Sequence, residues 1–403
     1  MARGRAAAPL VCSMAVAVTL SIVAAAAAAA APAPAVALAP AALAPVACAT
    51  DADCSYNGAC SSGSCACDDA WDGPRCGSLR LLPTTRAAGL RAVDDGHNTS
   101  TWGGTVALDH TTGTLHMWAS QMAGHCGINS WKINSFVVHA TSPSGAGGVF
   151  TRATGSGLDM AFPIFTHEPS VSRAPTGEWV LYWSGYPKGK GLGPPCLNVC
   201  TDGATPASGC KLPRGGSPPT YMSWSATPDG PWSAPAEVLA APWDTNLAVV
   251  ILANGSAVGT ARRSGMPVYL VTASDWKNAS SYVYHSEQPL FRMPNKHTVI
   301  EDGSVYVDSK GRFHAIFHSG LDGIHTFSTD GRSWTWDGGV AWNNTVAFVG
   351  GEQYAFHRRE RPHFVFGDTA DPHRITALTT AVSYGEDGAS DACYTLLQPV
   401  NKV

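Results

Sequence analysis

The sequence predicts an all-β protein, a five-bladed β-propeller over residues 79–403 that is preceded by a small disulfide-rich module at residues 48–76. Three observations support this prediction. Strand-like hairpins with a glycine turn recur after residue 79, six cysteines fall within 29 residues before it, and long helical patterns are hard to find. Gly and Pro contribute 42 and 28 of the 403 residues, as expected for many short strands joined by turns.

Residues 1–47 are predicted to form a secretory signal peptide and an Ala/Pro-rich linker. Arg3 and Arg5 precede an almost wholly apolar run, Ala6–Ala31, whose second half offers Ala-x-Ala cleavage sites. The run is also long enough to span a bilayer, so a type II membrane anchor in the secretory pathway is the alternative. We expect a secreted, extracellular protein with no stable membrane span after cleavage.

Charge argues against a nucleic-acid partner. Lys and Arg total 26 and Asp and Glu total 30, which gives a net charge of −4. There is no basic excess and no long basic run to contact phosphates.

Four Asn-x-Ser/Thr tripeptides are candidate N-glycosylation sites and support secretion. Their asparagines are Asn98, Asn254, Asn278 and Asn343.

The cysteine-rich segment is too short to bury a core, so it needs cross-links. Its six cysteines are Cys48, Cys54, Cys60, Cys65, Cys67 and Cys76. Fifteen pairings are possible in principle, and zinc binding is an improbable alternative in an oxidising compartment. The spacing, with Trp71 and Gly73 before the last cysteine, resembles an EGF-like domain. That resemblance implies the pairs Cys48–Cys60, Cys54–Cys65 and Cys67–Cys76, and without acidic residues before Cys48 we expect no calcium.

The hairpins after residue 79 share a strand, a turn and a second strand. The first four turn at Gly113, Gly177, Gly255 and Gly311, which are 64, 78 and 56 residues apart, and a looser fifth turns near Asp371. Further strands ending in a Gly-aromatic turn follow most hairpins. About four strands per unit, repeated five times, are typical of a β-propeller. A pair of β-sandwiches would explain the strands but not their similar spacing.

The segments that begin the five hairpins should point at one central channel, and four of the five carry a carboxylate. They are Trp102-Gly103-Gly104, His167-Glu168-Pro169, Asp244-Thr245-Asn246, Glu301-Asp302-Gly303 and Glu360-Arg361-Pro362-His363. Acidic residues also commonly occupy turns before strands, so each segment alone is weak evidence.

These segments, with Cys126–Trp131, Ser328–Trp334 and Arg359–Phe364, resemble the five-bladed propeller glycosidases. That superfamily includes arabinanases, β-xylosidases and invertases, and the chain looks most like a group of its secreted eukaryotic members. The resemblance implies a general base Asp on blade one, a supporting Asp on blade two and an acid Glu on blade three.

The sequence departs from that pattern. Blade one has no acid at its start unless Asp94 or Asp95 reaches in, while Glu168 is a longer and Asp244 a shorter equivalent of the expected residues. The missing base would have to come from Glu301, Asp302 or Glu360. The catalytic candidates are therefore Glu168, Asp244, Glu301, Asp302 and Glu360.

Glycoside hydrolysis requires two carboxyl groups that flank the glycosidic oxygen, one protonated and one ionised. Candidate substrate-binding residues are Trp102, His167, Arg361 and His363, although Trp102 could equally be a core residue and Arg361 could pair with Glu360 or Glu301. His116, His139, His314 and His318 are expected to be core or channel-wall residues. We expect no cofactor and no metal, with a structural channel Ca²⁺ as the alternative.

Five cysteines outside the EGF-like module, Cys126, Cys196, Cys200, Cys210 and Cys393, leave an odd number for pairing. Three of them lie in a Gly/Pro-rich insertion within blade two.

The sequence thus favours a secreted glycoside hydrolase that acts on an extracellular oligo- or polysaccharide. A non-catalytic carbohydrate-binding or adhesion propeller is the alternative, because the blade-one acid is missing. A sialidase-like six-bladed propeller would need three clustered arginines, and Arg361 is the only arginine identified at a hairpin start. The sugar, the linkage and the oligomeric state are not encoded in any pattern found.

Overall fold

The computed structural model describes thirteen stretches of the chain. They are residues 47–91, 100–122, 127–128, 131, 135–143, 148–153, 165–186, 218–240, 246–262, 267–291, 300–367, 371–385 and 393–400. Among these residues, no helix has the length and apolar character required to cross a bilayer.

The N-terminal module has the expected disulfide framework. It starts with a 3-10 helix, Asp51–Cys54, and continues with two short antiparallel pairs. Their strands are β1 (Gly58–Ser61), β2 (Ser64–Cys67), β3 (Trp71–Asp72) and β4 (Ser78–Leu79). The disulfides are Cys48–Cys60, Cys54–Cys65 and Cys67–Cys76, which confirms the predicted pairing.

The rest of the described chain forms five four-stranded antiparallel sheets, the blades. The first strand in the chain is β5 (Gly89–Leu90), which belongs to the last blade. Blade one contains β6 (Thr101–Asp109), β7 (Thr114–Met122), β8 (Ser135–Ser142) and β9 (Thr151–Arg152). Blade two contains β10 (Phe165–Arg173), β11 (Trp179–Tyr186), β12 (Thr220–Ser225) and β13 (Ala236–Leu239). Blade three contains β14 (Ala248–Ile251), β15 (Ala257–Arg262), β16 (Val268–Ala273) and β17 (Tyr282–Pro289).

Blade four contains β18 (Ile300–Val307), β19 (Phe313–Ser319), β20 (Asp322–Ser328) and β21 (Thr335–Trp336). A separate hairpin is formed by β22 (Thr345–Ala347) and β23 (Gln353–Ala355). Blade five contains β24 (Arg358–Phe366), β25 (Ile375–Ser383) and β26 (Cys393–Pro399), with β5 as its fourth strand. A second 3-10 helix, Ala279–Ser281, precedes β17.

The first strands of the blades form a closed ring. In the order β6, β10, β14, β18 and β24, each contacts the next, and β24 contacts β6 again. All five line one central cavity of about 550 Å³. The predicted five-bladed propeller is confirmed, and the five predicted hairpins are the two innermost strands of each blade.

The ring is closed by strands from distant parts of the chain. β5 pairs with β26, with Leu90 opposite Thr395 and Gly89 opposite Leu396. Because β5 precedes blade one and pairs with β26 of blade five, backbone hydrogen bonds join the two ends of the propeller.

The hydrophobic core lies between adjacent blades. Trp118 of blade one packs with Trp179 and Trp183 of blade two, and all three side chains are fully buried. The period-2 pattern of the strands produces this packing, because alternate side chains face opposite neighbouring blades.

The EGF-like module packs into the core of blades four and five. Trp71 is 2% exposed, and its ring centroid lies 4.8 Å from that of His325 and 6.0 Å from that of Phe364. The module is therefore part of the folded body and not a flexible spacer.

Candidate active site

One residue in each blade, at or just before the innermost strand, has a left-handed backbone conformation. These residues are Gly103, Glu168, Asn246, Asp302 and Arg361, with φ values of 60°, 59°, 43°, 57° and 53°. In blades one, two, four and five this residue lies at a break in register with the second strand. Such a bulge interrupts the alternation of side chains between the two faces of the strand and so changes the direction of one side chain. The fold thereby brings four side chains, and a glycine, to one level of the channel.

Arg361 is the centre of this layer. Its Nη1 atom donates to Asn246 Oδ1 at 2.9 Å and lies 3.3 Å from Asp302 Oδ1 and 3.5 Å from Glu168 Oε1. All four residues are at most 7% exposed. Since buried charges require partners, the guanidinium is the counter-ion that makes the burial of both carboxylates possible.

Glu168 is fixed by further hydrogen bonds. Its Oε2 atom accepts from Ser184 Oγ at 3.3 Å and from the backbone N–H of Asn246 at 3.2 Å. Its own N–H donates to Ser120 Oγ at 3.1 Å. Residues of blades two, three and five thus contact the Glu168 carboxylate, and this fixed position suits a supporting role in the layer.

Asp302 and Glu301 are linked by His318. His318 Nδ1 lies 3.0 Å from Asp302 Oδ2, and its Nε2 lies 3.9 Å from Glu301 Oε2. Burial alone would lower the pKa of His318, but the contact with Asp302 outweighs it and raises the pKa. Burial likewise acts to raise the pKa of Asp302, but Arg361 and His318 hold it well below its ordinary value. Glu301 lies 2.7 Å from Arg262 Nη1.

A pocket of about 110 Å³ opens above this layer, and we call it the mouth pocket. Its lining comprises Trp102, Ile128, Trp131, His167, Glu168, Glu301, Asp302, Arg358, Glu360 and Arg361. The Glu301 side chain is 26% exposed, whereas Trp102 is only 3% exposed. The pocket therefore offers carboxyl groups, a guanidinium group and indole rings to a ligand.

Glu360 differs from the other acids of the mouth pocket in its charge environment. Burial raises the pKa of Glu360 above its ordinary value, although the positive charges of His318, Arg358 and Arg361 oppose the rise. Its carboxyl group therefore favours the protonated form more than an exposed glutamate does.

His167 forms part of the wall. Its Nδ1 atom lies 2.6 Å from Ser135 Oγ, and its ring stacks on Trp131 with centroids 4.9 Å apart. Burial, together with the charge of Arg361, holds the pKa of His167 well below its ordinary value. A neutral imidazole in this position can form a hydrogen bond with a ligand in the mouth pocket.

His363 lies below the layer instead of in the mouth pocket. It is buried and lines the central cavity, and burial lowers its pKa to about 3. Of the four candidate substrate-binding residues, the structure therefore places Trp102, His167 and Arg361 at the mouth pocket and His363 at the cavity.

The catalytic candidates do not divide in this way. All four described candidates line the mouth pocket, where Glu168 and Asp302 contact Arg361 and Glu301 contacts Arg262. Asp244 lies outside the described residues, and the layer position of blade three is taken by Asn246. Cys126, Cys196, Cys200, Cys210 and Asn98 also lie outside them, and Cys393 is buried.

Sequence reasoning did not single out Asn246, Arg262 or Trp131 as site residues. Asn246 and Trp131 each stand at the end of a segment that was identified, so proximity in sequence was the available signal. Arg262 lies on a second strand, and nothing in its sequence surroundings marks it.

The layer fits a bound calcium ion poorly. Glu301, Asp302 and His318 each bring one potential ligand atom within 4.8 Å of the others. However, Arg361 and Arg262 lie 3.3 Å and 2.7 Å from the two carboxylates and already supply positive charge. A divalent cation in this group would face both guanidinium groups.

Comparison with known proteins agrees with this architecture. A family model described as a teneurin-like EGF domain matches residues 50–78. No curated protein sequence matches the chain. Its fold is similar to that of an α-L-arabinofuranosidase from Podospora anserina in complex with cellotriose, at 14% identity and a TM-score of 0.52, over 80% of this chain and 98% of that one. A glycosyl hydrolase from Bacteroides ovatus is similar at 10% identity and a TM-score of 0.51, over 83% and 97% of the two chains.

A protein of unknown function from Dyadobacter fermentans is similar at 14% identity and a TM-score of 0.51, over 80% of this chain and all of that one. At these identities the similarity establishes the fold alone. The chain is an EGF-like domain joined to a five-bladed β-propeller of the kind found in glycoside hydrolases.

Proposed function

We propose that the protein is an extracellular glycoside hydrolase that works in the mouth pocket, with Glu360 as proton donor and Glu301 as the second carboxylate. The observation that carries this proposal is the contrast between the two glutamates. Burial raises the pKa of Glu360, whereas Glu301 lies 2.7 Å from the guanidinium of Arg262. Two carboxyl groups with opposed environments are what acid–base cleavage of a glycosidic bond requires.

The charge balance around the pocket supports this division. Three carboxylates face three cationic groups. They are Glu168, Asp302 and Glu301 on one side and Arg361, Arg262 and His318 on the other. Arg358 also lines the pocket and acts to lower the pKa of Glu360, but burial of Glu360 outweighs the nearby positive charges and raises that pKa. The protonated form is therefore more accessible than in an exposed glutamate, and a protonated carboxyl group can donate a proton.

In the proposed reaction the Glu360 carboxyl donates its proton to the glycosidic oxygen as the bond to the anomeric carbon breaks. The Glu301 carboxylate either takes a proton from the attacking water or attacks that carbon itself. A separation of roughly 5–5.5 Å between the carboxyl groups gives retention, and roughly 6.5–9.5 Å gives inversion.

The substrate is proposed to be an oligo- or polysaccharide. Trp131 offers an indole ring at the pocket wall, and sugar rings stack favourably on such surfaces. The Podospora anserina enzyme of similar fold forms a complex with cellotriose, which agrees with a carbohydrate ligand. The EGF-like module with its three disulfides supports an extracellular site of action.

The experiment is a panel of aryl glycosides and of plant and algal polysaccharides, tested with the wild type, Glu360→Gln and Glu301→Gln. Loss of a general acid or base costs about 10²–10⁴-fold in rate. Glu287→Gln is the matched control, because that side chain is 72% exposed and lies on β17, the outermost strand of blade three.

Leaving-group dependence assigns the roles. Glu360→Gln should retain more activity on aryl glycosides with acidic phenols, which depart without protonation, than on alkyl glycosides. If the enzyme is retaining, azide should rescue both Ala variants, and Glu301→Ala should form the glycosyl azide of inverted configuration whereas Glu360→Ala should form that of retained configuration. Full activity of either Gln variant would remove that residue from the mechanism.

A non-catalytic carbohydrate-binding propeller is the second candidate. It is favoured by Arg361, which occupies the centre of the layer and engages both Glu168 and Asp302. Saturable sugar binding that Trp131→Ala weakens, with no turnover on any substrate, would select this function.

A further inference from the structure

A continuous chain of polar side chains, buried except at its Asp308 end, joins blade four to the EGF-like module. Asp308 Oδ2 lies 3.4 Å from His314 Nε2, and His314 Nδ1 lies 3.0 Å from His325 Nε2. His325 Nδ1 lies 3.3 Å from Nδ2 of Asn57, which belongs to the module. Both imidazoles and Asn57 are at most 2% exposed. We call Asp308, His314, His325 and Asn57 the histidine chain.

The partners at the two ends of the histidine chain fix which atom donates and which accepts in each of its hydrogen bonds. Asn57 Nδ2 also lies 3.1 Å from the carbonyl oxygen of Cys76, which can only accept, so this atom is the amide nitrogen. An amide nitrogen donates, so His325 Nδ1 must accept and His325 Nε2 must carry the proton. His325 then donates to His314 Nδ1, and His314 donates through Nε2 to the Asp308 carboxylate. Every link is satisfied only while both imidazoles are neutral.

One additional proton on either imidazole turns His325 Nδ1 from a hydrogen-bond acceptor into a donor. If it binds to His325, Nδ1 becomes a donor. If it binds to His314 Nδ1, His325 Nε2 must become the acceptor, and the proton of His325 moves to Nδ1. In both cases an N–H group faces the amide donor of Asn57.

Several charged groups surround the two imidazoles and could respond to the same change in pH. Asp337 Oδ2 lies 3.9 Å from His325 Nδ1 and accepts from Ser55 Oγ of the module at 3.1 Å. The charged and titratable groups around the chain include Asp308, Asp337, Lys310 and Arg312 on blade four, Asp371, His373 and Arg374 on blade five, and Asp51, Asp68 and Asp69 on the module. Asp337 is the acceptor towards which a protonated His325 would turn, away from Asn57.

Blade one contains an equivalent histidine pair whose outer end faces blade two. His116 Nδ1 lies 2.9 Å from His139 Nε2. The two residues lie on the second and third strands of blade one, at the positions that His314 and His325 occupy in blade four. The outer imidazole of this pair faces Asp229 of blade two at 3.6 Å. Blade one therefore supplies an internal control for the blade-four pair.

We propose that the histidine chain makes docking of the EGF-like module acid-sensitive, so that protonation of the pair loosens the module from blades four and five. Burial lowers the pKa of His314 to about 4, although the contact with Asp308 opposes this. The pKa is lower in the folded than in the unfolded state, so the folded chain binds fewer protons. The stability of the docked form is therefore full above the ordinary histidine value of 6.5 and falls as the pH drops towards 4.

Hydrogen exchange measured by mass spectrometry tests this proposal in the full chain. Protection factors, corrected for intrinsic exchange, would be compared at pH 7.5 and 4.5 for peptides from residues 54–76 and from blade two. In the wild type, protection of the module should fall at least tenfold more than protection of blade two.

His325→Asn retains an acceptor near Nδ1 that cannot be protonated, so it should abolish this selective fall. Asn57→Ala removes the donor on the module side and should also abolish it, with lower protection at both pH values. His139→Asn makes the same change at the blade-one pair and should leave the selective fall in the module's protection factors unchanged. A wild-type fall equal in both regions, or a selective fall that persists in both His325→Asn and Asn57→Ala, would overturn the proposal.

Discussion

The side chain of Arg361 fills the space that any side chain at Gly103 would need. A Cβ atom at Gly103 would lie 2.6 Å from Cδ and 2.6 Å from Nε of Arg361. Arg361 of blade five therefore occupies the volume that a side chain at position 103 of blade one would fill. The arginine can take this position only because residue 103 is a glycine. This explains why blade one supplies no acid to the layer.

Replacement of Gly103 by Asp should therefore damage the layer instead of restoring a catalytic acid. Left-handed backbone strain and overpacking against Arg361 should together cost about 2–4 kcal/mol in the free energy of unfolding. Urea unfolding would measure the loss. Gly113→Asp is the control, because Gly113 also has a positive φ of 72° but has open space around it. Equal losses in the two variants would contradict the steric argument.

Arg361→Met should leave two buried carboxylates without their main counter-ion. The expected loss of stability at pH 7 is about 3–5 kcal/mol, the usual cost of removing one partner of a buried ion pair. In the wild type, the depressed pKa of Asp302 contributes stability above the unfolded value of 3.8 that is lost at lower pH. Without Arg361 the pKa of Asp302 is depressed less, so the difference in unfolding free energy between variant and wild type should narrow from pH 4 to pH 2.

Unfolding free energies at the two pH values would test the Arg361→Met prediction. Arg332→Met, at an exposed arginine, should change neither value. A gap that widened on acidification would show that Arg361 does not stabilise the ionised carboxylates.

Trp71→Ala should destabilise the propeller and not the EGF-like module alone. Truncation of a fully buried Trp costs about 3–5 kcal/mol, and Trp71 packs against Phe364 of blade five. Calorimetry should show one transition at a lower temperature, whereas Leu321→Ala, at a side chain that is 52% exposed, should change little. A separate early transition of the module would contradict this coupling.

Arg358→Gln should shift the pH dependence of catalysis upward. The charge of Arg358 lowers the pKa of Glu360, so its removal should raise that pKa further. If Glu360 is the proton donor, the basic limb of kcat/KM should move to higher pH by a few tenths of a unit. Arg80→Gln, near the EGF-like module, should leave the limb in place. A shift to lower pH would exclude Glu360 as the donor.

Asn254, Asn278 and Asn343 should carry N-linked glycans when the protein is made in a eukaryotic secretory host. All three are exposed, and each Oδ1 accepts a hydrogen bond from the N–H of the sequon Ser or Thr. Mass spectrometry before and after enzymatic deglycosylation would detect occupancy at each site. Each Asn→Gln variant should lose one glycan, and an unmodified wild-type chain would contradict the prediction.

The blades were predictable from the sequence because their signals are local. A turn glycine such as Gly177, between runs rich in Val, Trp and Tyr, identifies a hairpin without knowledge of its neighbours. The disulfide pairing followed from a resemblance based on the full cysteine spacing.

The site was less predictable because side-chain direction depends on single residues. The sequence could not show which residue of the blade-three segment, residues 244–246, would adopt the left-handed conformation that places Asn246 in the layer. The pairing of Arg361 with Glu168 and Asp302 was missed for a different reason. It joins three blades, and no local pattern encodes a contact across so many residues.

The pairing of β5 with β26 has a consequence for biosynthesis. Gly89 and Leu90 are synthesised before any other propeller strand, but their partners Thr395 and Leu396 follow all of blades one to four in the chain. Blades one to four can therefore form during synthesis, whereas blade five stays incomplete until β26 has been made. A nonsense mutation before β26 would therefore leave unpaired edges on β5 and β25, although the inner strands β24 and β6 could still meet. Quality control in the cell would have to distinguish such a product from the complete one by those edges.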